Sequence, residues 1–345
     1  MSKNTVVVIT GASSGIGRAT ALRYASAGAN VVLASRRGQA LTKLAKECEA
    51  RGGDAIAVPT DVTNASQVDA LARAAVMKFG RIDVWVNNAA VSAFAPFLEM
   101  PLDDIRRVLD VNILGYIYGV RAALAVMTEQ GRGSLINVAS IVGEVPQPYT
   151  APYGMSKAAV RALGVSLRSE LALQKQKHIS VSTILPATID TPFFRHSANY
   201  TGRQVVAMPP VYSPDLVAKL IVRTAKKPRN EAIAAGPIGK SLVTQHRKTP
   251  APVEAQMALQ TDKTHLSRKN KAPSTDGTLY SPAPTADATA TGGWKGSERT
   301  GKRSFLGSLT AAALGVAVAR WILTTNADAS GKKRGKAHAA RALRR

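Results

Sequence analysis

The sequence has a single cysteine, Cys48, among 345 residues, and only 5% of its residues are aromatic. One cysteine excludes an intrachain disulfide, and a lone thiol is typical of a reducing compartment. The first four residues lead directly into an apolar run, so we expect no secretory signal peptide there. These features predict a cytoplasmic protein.

Acidic residues are also scarce. The chain contains 22 Asp and Glu residues against 46 Lys and Arg residues, a formal net charge of +24. The excess is uneven, because residues 241–345 contain 18 of the basic residues and only 6 of the acidic ones. The C-terminal part is therefore the more basic part of the chain.

Seven short apolar runs alternate with stretches of helical composition. This alternation predicts one α/β domain over residues 1–240, built as a doubly wound parallel sheet with helices on both faces. The predicted strands are residues 5–10, 30–35, 55–59, 82–87, 133–139, 179–185 and 231–235.

A glycine-rich loop, Thr-Gly-Ala-Ser-Ser-Gly-Ile-Gly at residues 10–17, follows the first predicted strand and precedes a predicted helix. A strand that turns tightly into a helix presents free N–H groups and a positive dipole end, which suit a pyrophosphate. Such loops also occur as plain turns, but this strand and helix context favours a dinucleotide site. The predicted cofactor-binding residues here are Thr10, Gly11, Ser13, Ser14, Gly15, Ile16 and Gly17.

The end of the second predicted strand indicates which dinucleotide binds. An acidic residue there would hold the ribose hydroxyls of NAD. This chain has neutral Ser35 followed by Arg36 and Arg37, and guanidinium groups suit a phosphate. NADP is therefore favoured over NAD, the alternative being two solvated arginines at the start of a helix.

Tyr153 and Lys157 are four residues apart in a predicted helix, so their side chains are neighbours. A free tyrosine titrates near pH ~10, and a nearby cation lowers that value. Ser140 follows the fifth predicted strand, where its hydroxyl can hydrogen-bond a substrate oxygen. The three residues together indicate proton transfer, although Tyr-x-x-x-Lys alone is a common surface pattern.

With these motifs, residues 4–240 resemble the short-chain dehydrogenase/reductase family, which has a Rossmann fold and forms homodimers or homotetramers. Further matching segments are Asp61-Val62, Asn87-Asn88-Ala89-Ala90, Asn112 within Asp110-Val-Asn-Ile-Leu, and Pro186-Ala-Thr-Ile-Asp-Thr191. Ala90 and Ala187 depart from the family's glycines, and each adds one methyl group near the cofactor.

The resemblance implies a role for each matching residue. Tyr153 would be the general acid in reduction and the base in oxidation, while Lys157 would hold the nicotinamide ribose and lower the tyrosine pKa. Ser140 would orient the carbonyl oxygen, and Asn112 would hold a water in the proton relay. The implied cofactor contacts are Asp61, Val62, Asn88, Ala89, Tyr153, Lys157, Pro186, Ile189 and Thr191.

Residues 192–210 correspond to the segment that closes over the substrate in this family. Phe193, Phe194, Val206 and Met208 predict an apolar lid and an apolar carbonyl or alcohol substrate. The alternative is that they only pack the lid onto the body.

The C-terminal part loses its apolar periodicity after residue 240. Residues 241–303 predict a disordered linker, because they have too few apolar residues to offset the entropy of ordering. Residues 304–325 predict an apolar helix, and residues 326–345 a basic tail. Fifteen uncharged residues at 305–319 fall short of the ~20 that span a bilayer, unless counting continues past Arg320.

Three roles for this C-terminal part stay open: a membrane anchor or interfacial helix, a helix that docks on the body or on a second subunit, and, least favoured, nucleic-acid binding. We therefore expect an NADP(H)-dependent oxidoreductase without a metal, acting through Asn112, Ser140, Tyr153 and Lys157. The rival hypothesis is a dinucleotide-binding scaffold or redox sensor that acts through its basic tail.

Overall fold

The computed structural model describes residues 4–294. The strands are β1 (Val6–Thr10), β2 (Asn30–Ser35), β3 (Ala55–Pro59), β4 (Val84–Asn87), β5 (Ala93–Phe94), β6 (Gly133–Val138), β7 (Ile179–Pro186), β8 (Ala198–Asn199), β9 (Arg203–Val205), β10 (Glu231–Ala234) and β11 (Leu266–Lys271). The α-helices are α1 (Gly15–Ala25), α2 (Gly38–Glu49), α3 (Ala65–Phe79), α4 (Leu102–Leu109), α5 (Gly115–Gln130), α6 (Ala151–Leu173), α7 (Phe193–His196), α8 (Pro214–Lys226), α9 (Gly236–Lys248) and α10 (Pro250–Thr264).

Seven strands form one sheet in the order β10-β7-β6-β4-β1-β2-β3, and every neighbouring pair is parallel. The chain builds outward from β1 in one direction and then returns to add β4 on its other side. Parallel sheets of this kind place their ligand crevice at the carboxyl ends of the strands, where the order reverses. The predicted doubly wound α/β fold and its seven main strands are confirmed.

The sheet is covered on both faces, because its strands are apolar at consecutive positions. Val8 contributes to the cluster on one face and Ile9 to the cluster on the other, as alternation along a strand requires. Both side chains are fully buried. Trp85 on β4 lies opposite Val8 in the parallel register and fills the first cluster. The unbroken apolar runs of the sequence therefore reflect burial from two sides.

The helical stretch Leu102–Gln130 is long and apolar enough to cross a membrane by length and composition, yet half of its most apolar window is buried inside the fold. A core helix of a folded domain can pass the same test of length and composition. A π-helical turn, Asp110–Leu114, joins α4 to α5 within this stretch.

The predicted linker is wrong for the part of it that the structure describes. Residues 241–294 contain most of α9, all of α10 and strand β11, which pairs with β9. Val243, Val253 and Met257 form a buried cluster with Leu185 of β7, and Leu266 is buried in another. The apolar residues of this segment are irregularly spaced, but they pack against distant residues of the α/β domain. A sequence test that depends on local periodicity does not detect such packing. The remaining predictions, for residues 295–303, 304–325 and 326–345, lie outside the described residues.

We expect Met257→Ala to reduce the free energy of unfolding by about 2–4 kcal/mol, because it leaves a cavity beneath α10. Met257 is 3% exposed, whereas Leu259 on the same helix is 61% exposed. Leu259→Ala is the matched control and should change stability by less than about 0.5 kcal/mol. Urea denaturation of both variants measures the difference, and equal small effects would mean that α10 does not pack on the body.

Candidate active site

One cavity of about 270 Å³ lies at the carboxyl ends of the central strands. It is lined by nearly all the residues predicted to bind the cofactor or to act in catalysis. Among the predicted residues, those that line it are Gly11, Ser13, Ser14, Gly15, Ile16, Ser35, Arg36, Arg37, Asp61, Val62, Asn88, Ala89, Ser140, Tyr153, Lys157, Pro186, Ile189 and Thr191. Thr10, Gly17 and Asn112 do not line this cavity.

Thr10 and Asn88 hold the glycine-rich loop in place. The Thr10 hydroxyl accepts the backbone N–H groups of Asn88 and Ala89 at 3.0 and 3.2 Å. The Asn88 side chain donates to the carbonyl oxygens of Thr10 and Gly11 at 3.0 and 3.2 Å. These bonds join the ends of β1 and β4, so both residues position the loop.

Two glycines of the loop are required by its backbone. Gly11 and Gly15 have φ values of +64° and +55°, a region that side chains disfavour. A Cβ on Gly11 would also lie 2.7 Å from the Cα of Ala89. The loop can therefore keep this shape only with glycine at Gly11.

Lys157 is 2% exposed, and its ammonium group has two partners. Nζ donates to the carbonyl oxygen of Val138 at 2.9 Å and to the hydroxyl of Tyr116 at 3.2 Å. Nζ also lies 5.6 Å from the centre of the Tyr153 ring. Burial lowers the pKa of Lys157 to about 7, so this amine titrates near neutrality.

Tyr153 and Ser140 face the cavity together. Burial raises the pKa of Tyr153 to about 12, while the hydrogen bond from Ser140 opposes the rise. Burial is therefore the dominant influence on this phenol. The lowering of its pKa by a charged Lys157 stays a prediction. The phenol is protonated at neutral pH, which is the state of a general acid.

Asn112 lies in the π-helical turn and is fully buried. Its Oδ1 accepts the backbone N–H of Val91 at 2.9 Å, while its Nδ2 donates to the Val91 carbonyl and to the hydroxyl of Ser156. π-Helical turns are frequent at functional sites. Here the side chain ties the start of α5 to residue 91 and to α6, which is a positioning contact.

The arginines predicted to bind a 2′-phosphate reach the same cavity. Arg37 donates to the hydroxyls of Ser13 and Ser14 at 2.8–3.1 Å. Arg36 donates to carbonyl oxygens of residues 278–280. Asp61 is held by Arg107 at 3.1 Å and by Thr63. Burial acts to raise the pKa of its carboxyl group, but these contacts together outweigh burial and lower it.

The substrate side of the cavity lies beneath α7. The Phe193 ring packs 5.5 Å from the Tyr153 ring, measured between centres. His265 is 3% exposed between Phe94 and Phe194, and its Nδ1 hydrogen-bonds the Val206 carbonyl. Burial lowers the pKa of His265 to about 4, so the ring is neutral.

Sequence reasoning missed Tyr116, Arg107 and His265. Tyr116 stands four residues after Asn112 and one helical turn along the same face, a spacing that could have indicated it. His265 was hidden inside the predicted linker. Arg107 reaches Asp61 from 46 positions away, so no local pattern reveals the pair.

Lys157→Met should remove a pH dependence of stability. The pKa of Lys157 is about 7 in the folded protein, whereas the ordinary pKa of a lysine side chain is 10.5. Folding therefore releases a proton between these values, and the free energy of unfolding of the wild type should rise with pH across that window. Below about pH 7 the charged amine is buried and this contribution is least favourable.

Urea denaturation at several pH values between about 7 and 9 measures this rise. The exposed Lys43→Met variant is the control and should keep the rise, whereas Lys157→Met should flatten it. A rise of equal size in all three proteins would contradict the buried, titrating Lys157.

Comparison with known proteins places this geometry in a family. The model of the short chain dehydrogenase family matches residues 5–200. The chain is 40% identical over 231 residues to the uncharacterized oxidoreductase YxnA of Bacillus subtilis, a match covering 66% of this chain and 65% of that protein. It is 37% identical over 187 residues to a 3-oxoacyl-[acyl-carrier-protein] reductase of Synechocystis, covering 54% of this chain and 74% of that protein.

A solved structure is similar over most of the described fold. The crystal structure of a short chain dehydrogenase/reductase from Burkholderia phymatum in complex with NAD superposes with a TM-score of 0.66 at 30% identity. The superposition covers 74% of this chain and 97% of the other. Together with the sheet order and the family match, it confirms the resemblance found in the sequence: the protein belongs to the short-chain dehydrogenase/reductase family.

Proposed function

We propose that the protein is an NADP(H)-dependent oxidoreductase that interconverts a carbonyl and a secondary alcohol. The observation that carries the proposal is that Tyr153, Ser140 and Lys157 line the same cavity as the glycine-rich loop, Arg36 and Arg37. A proton donor, a hydroxyl for substrate orientation and a phosphate-binding loop thus share one cavity. The named relative from Synechocystis is a reductase, which agrees with this assignment.

The donors at the cavity fit a dinucleotide. The backbone N–H of Gly15 and the guanidinium groups of Arg36 and Arg37 all donate to oxygen atoms of residues 278–289. Phosphate oxygens are stronger acceptors of such bonds than neutral carbonyl groups. The start of α1 adds a positive dipole end at this position.

A bound nicotinamide dinucleotide supplies the hydride in reduction and accepts it in oxidation. Tyr153 donates its phenolic proton to the substrate oxygen in reduction and takes it back in oxidation. Ser140 hydrogen-bonds the same oxygen and so fixes its distance from the phenol. Lys157, when charged, stabilises the phenolate that Tyr153 leaves behind.

The apolar wall of the cavity favours an uncharged, apolar substrate. It is formed by side chains from the lid and from α9 and α10, among them Phe193, Met208, Leu242 and Met257, together with Phe94 of β5 and with Val145. Among the polar exceptions are Gln147 and the neutral His265.

A cytoplasmic location and a homodimeric or homotetrameric assembly stay predictions. Helix α6 exposes apolar surface at Met155, Val165 and Leu173, which a second subunit could cover. The mass of the protein in solution tests the assembly.

Tyr153→Phe should lower turnover by roughly 100- to 10,000-fold, the usual contribution of a general acid. The loss of NADPH absorbance measures turnover when ketones, aldehydes and quinones are offered as substrates. The affinity for NADPH should be unchanged, and Tyr118→Phe on α5 is the control that should retain turnover. Full turnover in Tyr153→Phe would eliminate this mechanism, and NADPH binding without turnover on any carbonyl would favour the rival sensor.

Replacing both Arg36 and Arg37 by alanine should weaken NADPH binding relative to NADH binding by about tenfold or more. Each charged hydrogen bond to a 2′-phosphate contributes about 1.5–3 kcal/mol. The ratio of the two dissociation constants is the measurement, because any effect on the loop is common to both nucleotides. Arg51→Ala, an exposed arginine after α2, is the control. A ratio equal to that of the wild type would exclude a phosphate role for these arginines.

A further inference from the structure

A segment near the end of the described chain lies along the dinucleotide groove. We name residues 278–294 the strap. Leu279 anchors one end, fully buried in the cluster that contains Val62 and Val111. Trp294 anchors the other end, where its indole N–H donates to the carbonyl of Thr191 at 3.0 Å. The strap therefore runs from Val62 to Thr191, two of the residues that the family resemblance implies as cofactor contacts.

At the first end the strap uses the arginine donors. The Arg36 guanidinium donates to the carbonyl oxygens of Thr278, Leu279 and Tyr280 at 2.6–3.2 Å. Arg107 donates to the same Leu279 carbonyl at 2.9 Å. Three successive carbonyl oxygens of the strap thus accept hydrogen bonds from the guanidinium group that we expect to bind a 2′-phosphate.

In the middle the strap uses the loop itself. The backbone N–H of Gly15, at the start of α1, donates to the carbonyl of Thr289 at 2.9 Å. Arg37 donates to the carbonyl of Pro284 at 3.3 Å. A main-chain N–H that is bonded to the strap cannot also donate a linear hydrogen bond to a pyrophosphate oxygen.

The strap also connects to the lid and to the chain after β7. The backbone N–H of Thr278 donates to the His196 carbonyl at 2.9 Å, and the His196 ring lies 3.4 Å from Asp287. The Asp190 carboxylate accepts the backbone N–H groups of Gly292 and Trp294 at 2.9 and 3.0 Å. The strap is thus held on both sides of the groove.

The room that remains is small. The cavity beneath the strap, which Thr278, Pro282 and Ala283 help to line, measures about 270 Å³. Pockets for drug-sized ligands measure roughly 300–1,000 Å³. The free space is thus below the usual range for a ligand of that size, and the strap forms part of its wall.

Resting on the dinucleotide site proposed above, we propose that the strap is an intramolecular competitor of the dinucleotide. It docks on Arg36 and Gly15 in the free protein and leaves them when the phosphates bind. The apparent affinity for the dinucleotide is then the intrinsic affinity multiplied by the fraction of molecules with the strap released. Weakening the strap should therefore tighten nucleotide binding, whereas a strap that only covers a bound nucleotide would weaken it when disrupted.

Leu279→Asp removes the buried anchor, and Ala286→Asp, which adds the same charge at an exposed strap position, is its matched control. Gly292→Val is a second release variant, because a Cβ there would lie 2.2 Å from the Thr191 carbonyl oxygen. We expect both release variants of the full chain to bind NADPH about tenfold more tightly than Ala286→Asp and the wild type. Quenching of protein fluorescence by NADPH measures binding without any substrate, so the result does not depend on the reaction.

Hydrogen exchange of the wild-type protein is an independent measurement. The exchange rate of the strap amides should change in opposite directions if the nucleotide displaces the strap and if the strap covers the nucleotide. Addition of NADPH should speed exchange of the strap amides of Thr278, Gly292 and Trp294, since displacement breaks their hydrogen bonds. Slower exchange of these amides would show that the strap closes over the nucleotide and would overturn the proposal. Unchanged or weaker NADPH binding in both release variants, or no binding by any of the proteins, would also overturn it.

Discussion

The site depends on a buried amine. Lys157 is almost completely enclosed, and a buried charge without partners is costly, so the fold has to supply acceptors at fixed positions. The Val138 carbonyl comes from the end of β6, and the Tyr116 hydroxyl comes from α5. The hydrogen bonds of this single ammonium group therefore align the end of β6 with helices α5 and α6. Tyr153, one turn earlier on α6, is placed by the same constraint.

The same edge of the sheet explains why the strap docks where it does. Backbone N–H groups at the start of α1 and the guanidinium of Arg36 are strong donors gathered in a groove. Donors of this kind take the acceptors that are available, and in this structure these include the strap carbonyls of Thr278 and Thr289. A groove suited to phosphates is thus also suited to an extended segment of the protein's own backbone. Burial of Leu279 adds an apolar contribution that holds this segment in register.

The sequence allowed the sheet, the loop and the Ser140, Tyr153 and Lys157 set to be predicted, because each depends on local spacing. The strand runs are apolar and β-branched, and a four-residue separation on a helix fixes which side chains are neighbours. His265 and Leu279 could not be found in this way. Their environment is made by residues such as Phe94 and Val62, which are far away in the chain. The linker prediction failed over residues 241–294 for the same reason: apolar residues such as Val253, Met257 and Leu266 are sparse, but they pack on an existing surface of the body.

The most direct test of the central claim follows the transferred hydrogen itself. NADPH in which both hydrogens on the reactive carbon of the nicotinamide are deuterium is incubated with the wild-type protein and with a carbonyl compound that it turns over. Mass spectrometry of the alcohol product then locates the label. The account predicts one deuterium on the former carbonyl carbon, and almost no labelled product with Tyr153→Phe. Oxidation of NADPH without deuterium in the alcohol would contradict direct transfer in this site.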